Sequence, residues 1–523
     1  MADESMMPGR GDPEGRRDRL AAAFFGLVGL WYVDSFAQAM IERTHENMDG
    51  LRLAPVFAAY RGYSLYPKAG EGPPLGYTYG PMSVLAYLPA VAAPDPTAAL
   101  LGAGVLTLVY SLGPVLALLL IGTRGGSGRP GAVALGMLLF AIMARNPALV
   151  YTTMSPVHDA VALGFGLLAC LPLIAREAVG WRPLALSAAL AAIAVLAKQN
   201  ASFILPSLTL YCVLAFGPRV GLGYAALLAG IGLALGLVLI RVYGAGTLVH
   251  YLFGVQAGMP VFPSRIPGLV RQLVIMSIMP LLLIGSGLYL GRAPGGDGRS
   301  PATLRGLLTR NPGALPLMVG VGNLPIAMLG TMKLGGDSNS LSYTIYYLTA
   351  VGSLLVAEAA AKGVGPSPEF GRRSVRAVAA LACVPWISFQ VASAPTPIAF
   401  GWAKVVRRLR ENPNQVAFDY AKRNPGSAYF PWNDLAVLMA EGKLYATEDA
   451  ILNIPPPGGG RHSLKAEGML PGSPDYVVYP PQYHAEWGKF AALAEFPNYR
   501  RYVRVPGLEK FTVFARGAAA GPP

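Results

Sequence analysis

Long apolar stretches alternate with short polar segments over most of the chain, and this alternation predicts its fold. Between residues 20 and 392, most of the apolar stretches approach the roughly 20 residues that a helix needs to cross a bilayer. We interpret eleven of them as spans: 20–40, 98–122, 131–145, 160–175, 183–197, 201–216, 221–240, 268–290, 312–331, 340–361 and 376–392. The pattern predicts an α-helical polytopic membrane protein with about 11 transmembrane helices.

The last part of the chain, residues 393–523, has no such stretch and carries more charge, Pro and Tyr. Short runs of β-branched and aromatic residues bounded by turn residues predict strands, and the runs between them predict helices. The predicted helices are 399–422, 434–441 and 483–493, and the predicted strands are 428–430, 476–479, 499–505 and 510–515. We therefore expect a transmembrane domain over 20–392 and a small soluble α/β domain over 393–523.

Composition supports this division and excludes several classes of protein. Of the 523 residues, 53% are hydrophobic and 13% are charged, whereas an average soluble domain has about 25% charged residues. This excludes an ordinary soluble enzyme, and it excludes a disordered chain, which needs low hydrophobicity and high charge. Cys170, Cys212 and Cys383 lie in apolar stretches without metal-ligand spacing, so we expect them to be small buried hydrophobic residues.

The net charge of +14 would suggest a nucleic-acid partner for a soluble protein, but its distribution indicates membrane orientation instead. With residues 1–19 inside, the predicted cytoplasmic segments hold 17 Lys and Arg in 75 residues, against 8 in the 109 residues of the opposite loops. The positive-inside rule requires this asymmetry. We predict a multi-pass protein of the cytoplasmic (inner) membrane, with residues 1–19 as a cytoplasmic tail and 393–523 outside. Its partners include membrane lipids and no nucleic acid.

Acidic residues near a membrane are costly, so two groups on the predicted outer side stand out. Glu46 and Asp49 follow the first span three residues apart, and a helix would carry both carboxylates on one face. His158 and Asp159 lead into the fourth span. The structural alternative is that Asp49 and Asp159 cap the helices that follow them, with Glu46 in solvent.

Two carboxylates that converge at the membrane boundary have two chemical uses. One of them acts as a general base while the other orients it, or together they hold a divalent metal ion. The sequence leaves both uses open, so a divalent metal ion is an open alternative. No other cofactor is indicated.

Aromatic and basic residues lie between the two acidic groups. Tyr77 and Tyr79 belong to this region, where tyrosines form either an interfacial belt or the wall of a groove that stacks on sugar rings. Arg61 is a candidate phosphate-binding cation on the same side.

Two further polar segments separate predicted spans on the outer side. In Lys198-Gln199-Asn200, either Lys198 merely extends to the membrane surface, or it binds a phosphate while the two amides bind sugar hydroxyls. Asp337 and Asn339 lie in a glycine-rich segment, which is either a flexible loop or a second source of binding groups.

Taken together, these elements resemble the GT-C superfamily of polytopic glycosyltransferases, in particular the bacterial branch related to protein O-mannosyltransferases and lipid A aminoarabinose transferases. The resemblance covers residues 20–360 in layout. It rests on four elements in chain order: Glu46-x-x-Asp49, Gly62-x-x-Leu65-Tyr66, Tyr77-x-Tyr79-x-Pro81 and His158-Asp159.

The resemblance implies a polyprenyl-phosphate-linked sugar donor and transfer at the outer membrane face. It also implies a catalytic base in the first outer loop, which matches Asp49, and a second acid before the fourth span, which matches Asp159. Members often have two adjacent acids in the first loop, whereas Asn47 and Met48 separate Glu46 from Asp49 here. The choice of base therefore stays open between Glu46 and Asp49.

We predict a glycosyltransferase that moves a hexosyl or pentosyl group from a polyprenyl-phosphate donor to a lipid, glycan or protein acceptor. The alternative is a transporter or flippase for a lipid-linked or small polar substrate, which charges near the bilayer centre would favour. Asp34 is the main such charge, and the polar candidates gather at one membrane face. That one-sided arrangement, with a soluble domain on the same side, favours an enzyme.

Overall fold

The structure, a computed structural model, describes most of the chain. The described residues are 34, 37, 38, 41, 47–68, 71–124, 129–144, 146–156, 158–291, 303–333, 336, 338–362, 402, 403, 405–407, 409, 411–455, 469–480, 492, 493, 496, 498–502 and 505–516. The predicted spans 20–40 and 376–392 and the predicted helix 483–493 lie almost entirely outside them.

Helices make up most of the described chain. In chain order they are α1 (Asn47–Tyr60), α2 (Met82–Tyr87), α3 (Pro96–Gly122), α4 (Arg129–Met143), α5 (Pro147–Met154), α6 (His158–Cys170), α7 (Trp181–Ala197), α8 (Ile204–Phe216), α9 (Pro218–Tyr243), α10 (Ala245–Val249), α11 (Val255–Gly258), α12 (Ile266–Gly291), α13 (Leu304–Arg310), α14 (Ala314–Gly322), α15 (Leu324–Met332), α16 (Ser342–Lys362), α17 (Pro413–Arg423), α18 (Asp434–Glu441) and α19 (Glu448–Asn453). Single turns of 3-10 helix occur at Leu88–Ala92, Gln199–Phe203, Pro263–Arg265 and Ser338–Leu341, and a π-helical turn at His250–Gly254.

Six helical segments of the described chain are long and apolar enough to cross a membrane, or seven if the bent pair α4–α5 forms one span. The six are Pro96–Gly122, Gln199–Phe216, Pro218–Tyr243, Pro263–Tyr289, Ala314–Met332 and Asn339–Lys362. Shorter apolar helices are Met82–Ala92, His158–Cys170 and Trp181–Ala197. The predicted polytopic helical fold is confirmed, and the number of about 11 spans stays a prediction.

Helix α16 lies at the centre of the bundle, almost entirely buried, with α4, α12 and α14 packed around it. Helix α9 differs: it buries Gly221 and Tyr224 but exposes apolar side chains such as Leu222, Leu233 and Leu237. Water would disfavour so large an apolar face, whereas lipid does not. The bundle therefore exposes apolar side chains on its outer surface around a buried central helix, as membrane proteins do.

The segment between α1 and α2 fits tightly against the end of α7. Gly80 approaches the backbone of Leu196 so closely that a Cβ atom at position 80 would collide with the Leu196 carbonyl oxygen. The hydroxyl of Tyr77 donates to the Gly80 carbonyl at 2.5 Å and is 2.7 Å from Ser83 Oγ. Glycine is thus required at position 80 by the close approach of two backbones.

The C-terminal unit, defined here as the described residues 411–516, has the predicted α/β architecture. Strand β1 (Ala428–Tyr429) is parallel to β2 (Tyr476–Tyr479), while β4 (Thr512–Arg516) is antiparallel both to β2 and to β3 (Tyr499–Tyr502). The sheet order is β1-β2-β4-β3. Helix α18 and strand β2 have the predicted bounds.

The predicted helical stretch over 399–422 is helical at most of its described residues but is interrupted at 411–412, because the chain begins a new helix at Pro413. The Asn412 side chain accepts a hydrogen bond from the Asn414 N–H at 3.0 Å and caps α17. Proline disfavours helical geometry in the residue before it but suits the first helical position. These two preferences explain the break.

The C-terminal unit packs directly on α1, chiefly through α18. Leu51 of α1 belongs to the same buried apolar cluster as Tyr429, Trp432 and Val477. Helix α1 is therefore held between the bundle and the C-terminal unit.

We expect Gly80→Ala to destabilise the protein by about 1–3 kcal/mol, because the added methyl group has to displace the backbone of α7. The measurement is the midpoint of thermal unfolding in detergent. Gly102→Ala on α3 is the control, since a Cβ atom there meets open space. Equal midpoints for the two variants would contradict the close packing of Gly80.

Candidate functional site

Helix α1 positions Asp49. The helix begins at Asn47, so Asp49 lies in its first turn. The alternative in which Asp49 is only the N-cap of a helix starting at Leu51 is therefore wrong. The Asp49 side chain is fully buried, and its Oδ1 accepts a hydrogen bond from Arg52 Nη1 at 3.0 Å. The N-terminus of a helix favours a negative charge. Asp49 is thus a buried carboxylate paired with a cation one turn later in the same helix.

Helix α6 positions Asp159 in the same way. The helix begins at His158, so Asp159 also lies within the first turn and is not the N-cap. Lys198, where the chain leaves α7 in extended geometry, donates to both Asp159 oxygens at 2.7 and 2.8 Å. Both side chains are buried. Removing either partner of such a pair leaves an uncompensated charge, which is strongly destabilising.

Aromatic rings lie beside this ion pair. The Lys198 ammonium is 5.0 Å from the centroid of the Tyr79 ring, a cation–π distance. The His158 ring lies 4.4 Å from the Tyr79 ring and 5.2 Å from the Tyr77 ring. Tyr77 is buried, whereas Tyr79 is partly exposed. Tyr79 is therefore the tyrosine of this pair that a ligand can reach.

Arg52 connects the two carboxylates. Burial lowers the pKa of Arg52, but the Asp49 carboxylate, followed by Tyr79 and Asp159, raises it above its ordinary value. Asp49 and Asp159 are thus within electrostatic reach of one guanidinium. With Lys198, the cluster has two negative and two positive side chains, whose formal charges cancel.

The amide residues after Lys198 have different surroundings. Gln199 donates to the backbone carbonyls of Thr78 at 2.6 Å and Leu252 at 2.7 Å, which ties the Tyr77–Tyr79 segment to the bundle. The Asn200 amide lies against Gly330, which also contacts Ser340. Asn200 is therefore next to the 3-10 turn Ser338–Leu341 that contains Asn339.

One described candidate, Arg61, lies away from this cluster. Arg61 is exposed and lies against Gly442 of the C-terminal unit. Glu46 and Asp337 lie outside the described residues. Within the described residues, no group of three or more His, Cys, Asp or Glu side chains is arranged to hold a metal ion.

Two residues of the cluster escaped prediction from sequence. Arg52 stands three residues after Asp49, a spacing that pairs side chains on a helix, and this signal could have identified it. Tyr343 on α16 lies close to Asp159. It comes from a distant apolar stretch, and its sequence surroundings carry no comparable signal.

Comparison with known proteins identifies the fold. No protein-family model and no curated protein sequence matches the chain. The crystal structure of ArnT from Cupriavidus metallidurans bound to undecaprenyl phosphate aligns over 96% of this chain and 99% of its own, with a TM-score of 0.50 and 13% identity. The archaeal oligosaccharyltransferase AglB from Archaeoglobus fulgidus, in complex with an inhibitory peptide and a dolichol-phosphate, aligns over 94% of this chain and 75% of its own, with a TM-score of 0.41 and 12% identity. The match to ArnT concerns the fold alone: this chain has the fold of ArnT, in agreement with the layout that the sequence resemblance implies.

Proposed function

We propose that the protein is a glycosyltransferase that moves a sugar from a polyprenyl-phosphate-linked donor to an acceptor at the outer face of the cytoplasmic membrane. The observation that carries the proposal is the cluster of two buried carboxylate–cation pairs beside Tyr79 and His158. The fold supports it, since ArnT, with the same fold, has been crystallised with undecaprenyl phosphate.

Asp49 is the proposed general base. The acceptor hydroxyl attacks the anomeric carbon and loses its proton to Asp49, while the bond from that carbon to the phosphate oxygen breaks and its electron pair leaves with the phosphate. This displacement inverts the anomeric carbon. Because a phosphate is a good leaving group, the protein has to supply a base and cations rather than an acid. Glu46 remains the alternative base.

Lys198 and Arg52 are the proposed phosphate-binding cations. An ammonium has three N–H donors, and Asp159 accepts from Lys198 with both of its oxygens. That geometry leaves one donor for a phosphate oxygen. Asp159 therefore orients Lys198 and does not act as a second base.

The sugar is proposed to bind against the partly exposed ring of Tyr79, since rings of this type stack on sugars. Tyr77 and Gln199 hold the backbone on either side of Tyr79, because Tyr77 donates to the Gly80 carbonyl and Gln199 donates to the Thr78 carbonyl. His158, Asn200 and Asn339 are further binding candidates, together with Arg61 and Asp337.

The proposed topology has residues 1–19 in the cytoplasm, the transmembrane domain over 20–392 and the soluble domain over 393–523 outside. The Lys and Arg distribution supports it. Membrane lipids, the lipid-linked donor and a hydroxyl-bearing lipid, glycan or protein are the proposed partners.

The test of the function is turnover of lipid-linked sugars. Purified protein is incubated with a panel of polyprenyl-phosphate hexoses and pentoses, with and without EDTA. We expect release of free polyprenyl phosphate from one donor. If EDTA abolishes the release, a divalent metal ion takes part. If no donor turns over while the protein moves such lipids across vesicles, it is a transporter or flippase.

We expect Asp49→Asn to lower transfer by about 10²–10⁴-fold, the usual contribution of a general base. Membrane insertion and thermal stability are measured alongside. Asp95→Asn is the matched control, because Asp95 caps α3 through the Ala98 N–H and should affect stability rather than chemistry. Full activity of Asp49→Asn in a correctly inserted protein would show that Asp49 is not the base and would leave Glu46 as the candidate.

We expect Lys198→Gln to lower kcat/KM for the donor by about 10²–10³-fold, since it removes a cation from the departing phosphate. Lys198→Arg keeps the charge and should restore part of the loss. Arg241→Gln changes an exposed cation at the end of α9 and serves as the control. Similar donor kinetics for Lys198→Gln and Arg241→Gln would exclude Lys198 from phosphate binding.

A further inference from the structure

A segment between two candidate spans lies at the membrane boundary. It covers residues 244–262, called the strap here, and connects the span Pro218–Tyr243 to the span Pro263–Tyr289. Short helical turns make up most of it, from Ala245 to Gly258. Because one span ends where the strap begins and the next begins where it ends, the strap lies at the level of the lipid headgroups.

One side of the strap is fixed to the protein. Tyr251 is buried, and its hydroxyl donates to the Pro67 carbonyl at 3.0 Å. Gln256 Nε2 donates to Thr78 Oγ1 at 3.0 Å. The strap is thus tied to the loop that carries Tyr79.

The other side of the strap is apolar and exposed. Val249 is 60% exposed and Phe253 is 61% exposed, one helical turn later. Val261, near the end of the strap, is 42% exposed. Water disfavours such a row of apolar side chains, whereas lipid acyl chains do not. A segment with one side on the protein and an apolar side facing outward is typical of an element that lies in the plane of the membrane surface.

Two cations are held against the end of the strap. Arg265 Nη1 donates to the Lys333 carbonyl at 2.9 Å, and Lys333 Nζ donates to the Gln256 carbonyl at 2.8 Å. Lys333 also forms an isolated antiparallel bridge with Val261. The Arg265 guanidinium lies 4.9 Å from the centroid of the Phe262 ring. The apolar side of the strap and a pair of positive charges are therefore neighbours.

Carboxylates of the described chain do not neutralise these two cations. The ion pairs between described residues do not include Arg265 or Lys333. The sequence has no Asp or Glu between residues 178 and 296. Backbone carbonyls take one of the three N–H donors of Lys333, and within the described residues they take only Nη1 of Arg265. The pair can therefore bind an anion and keep all of these contacts.

We propose that the strap is a binding surface for an anionic phospholipid of the outer leaflet. Arg265 and Lys333 hold its phosphate, and its acyl chains lie along Val261 and Phe253. Charge complementarity and the adjacent apolar side chains argue for a lipid, because a free phosphate ion gains nothing from an apolar surface. The strap faces the outside of the bundle, whereas Lys198, the proposed cation for the donor phosphate, is buried. Only the choice of leaflet rests on the proposed topology, and the binding does not depend on the proposed function.

Insertion of the strap is tested with Phe253→Trp in vesicles of phospholipids that are brominated in the acyl chains and quench tryptophan on contact. The signal of the six native tryptophans is measured on the wild type and subtracted. We expect the vesicles to quench most of the fluorescence that Phe253→Trp adds. Lys443→Trp, on the exposed surface of the C-terminal unit, is the control and should keep its added fluorescence. Equally weak quenching of both variants would overturn the proposal.

The choice of lipid is tested with Val261→Trp. Brominated phosphatidylglycerol competes with unbrominated phosphatidylcholine, and the bromine label is then exchanged between the two lipids. We expect phosphatidylglycerol to be preferred by about fivefold or more, since a Lys or Arg near an anionic surface contributes about 1 kcal/mol. Leu233→Trp, exposed within α9, should show no preference. Equal occupancy by the two lipids at Val261→Trp would contradict an anionic site.

The role of the two cations is tested in the Val261→Trp background. Arg265→Gln/Lys333→Gln should remove the preference, while Arg219→Gln, an exposed cation near the start of α9, should leave it unchanged. Because Arg265 also binds backbone carbonyls, a second measurement keeps both cations: 1 M salt, with a Debye length of about 3 Å, should lower the preference. A preference that survives both treatments would overturn the proposal. Complete displacement of phosphatidylglycerol by a small mole fraction of polyprenyl phosphate would assign the surface to the sugar donor and also overturn it.

Discussion

The ion pair between Lys198 and Asp159 is the interaction on which the site depends. It joins the end of α7 to the start of α6 with two short hydrogen bonds in a buried environment. Charges there are costly unless paired, so each residue fixes the position of the other. Tyr79 packs on the ammonium and His158 packs on Tyr79, so the loop after α1 is held by the same pair.

A second pair, Asp49 with Arg52, repeats this arrangement within one helix and lies within electrostatic reach of the first. Two neutralised pairs side by side lower the cost of burying four charges. In the proposed function, the cations of these pairs also bind the phosphate of the donor. Electrostatic groups that are already oriented before the substrate arrives stabilise a transition state most effectively.

The C-terminal unit is part of this arrangement. Its apolar cluster includes Leu51 of α1, and its Asp449 contacts Gly76. Glycines at positions 50 and 76 allow Asn414 and Asp449 of the unit to approach α1 and the segment before Tyr77 closely. The C-terminal unit therefore packs against both segments that carry residues of the cluster.

The sequence by itself determined the polytopic helical class and the α/β character of the C-terminal unit, because hydropathy acts locally along the chain. The cost of charge near lipid also made Asp49 and Asp159 candidate site residues. The sequence also contained the Asp49–Arg52 spacing. Only the tertiary structure decided that Lys198 pairs with Asp159, that Gln199 is engaged by backbone carbonyls, that Arg61 lies at Gly442, and that Asp449 reaches Gly76. These contacts join segments far apart in the chain, and their partners are selected by packing and by burial of charge, which no local pattern encodes.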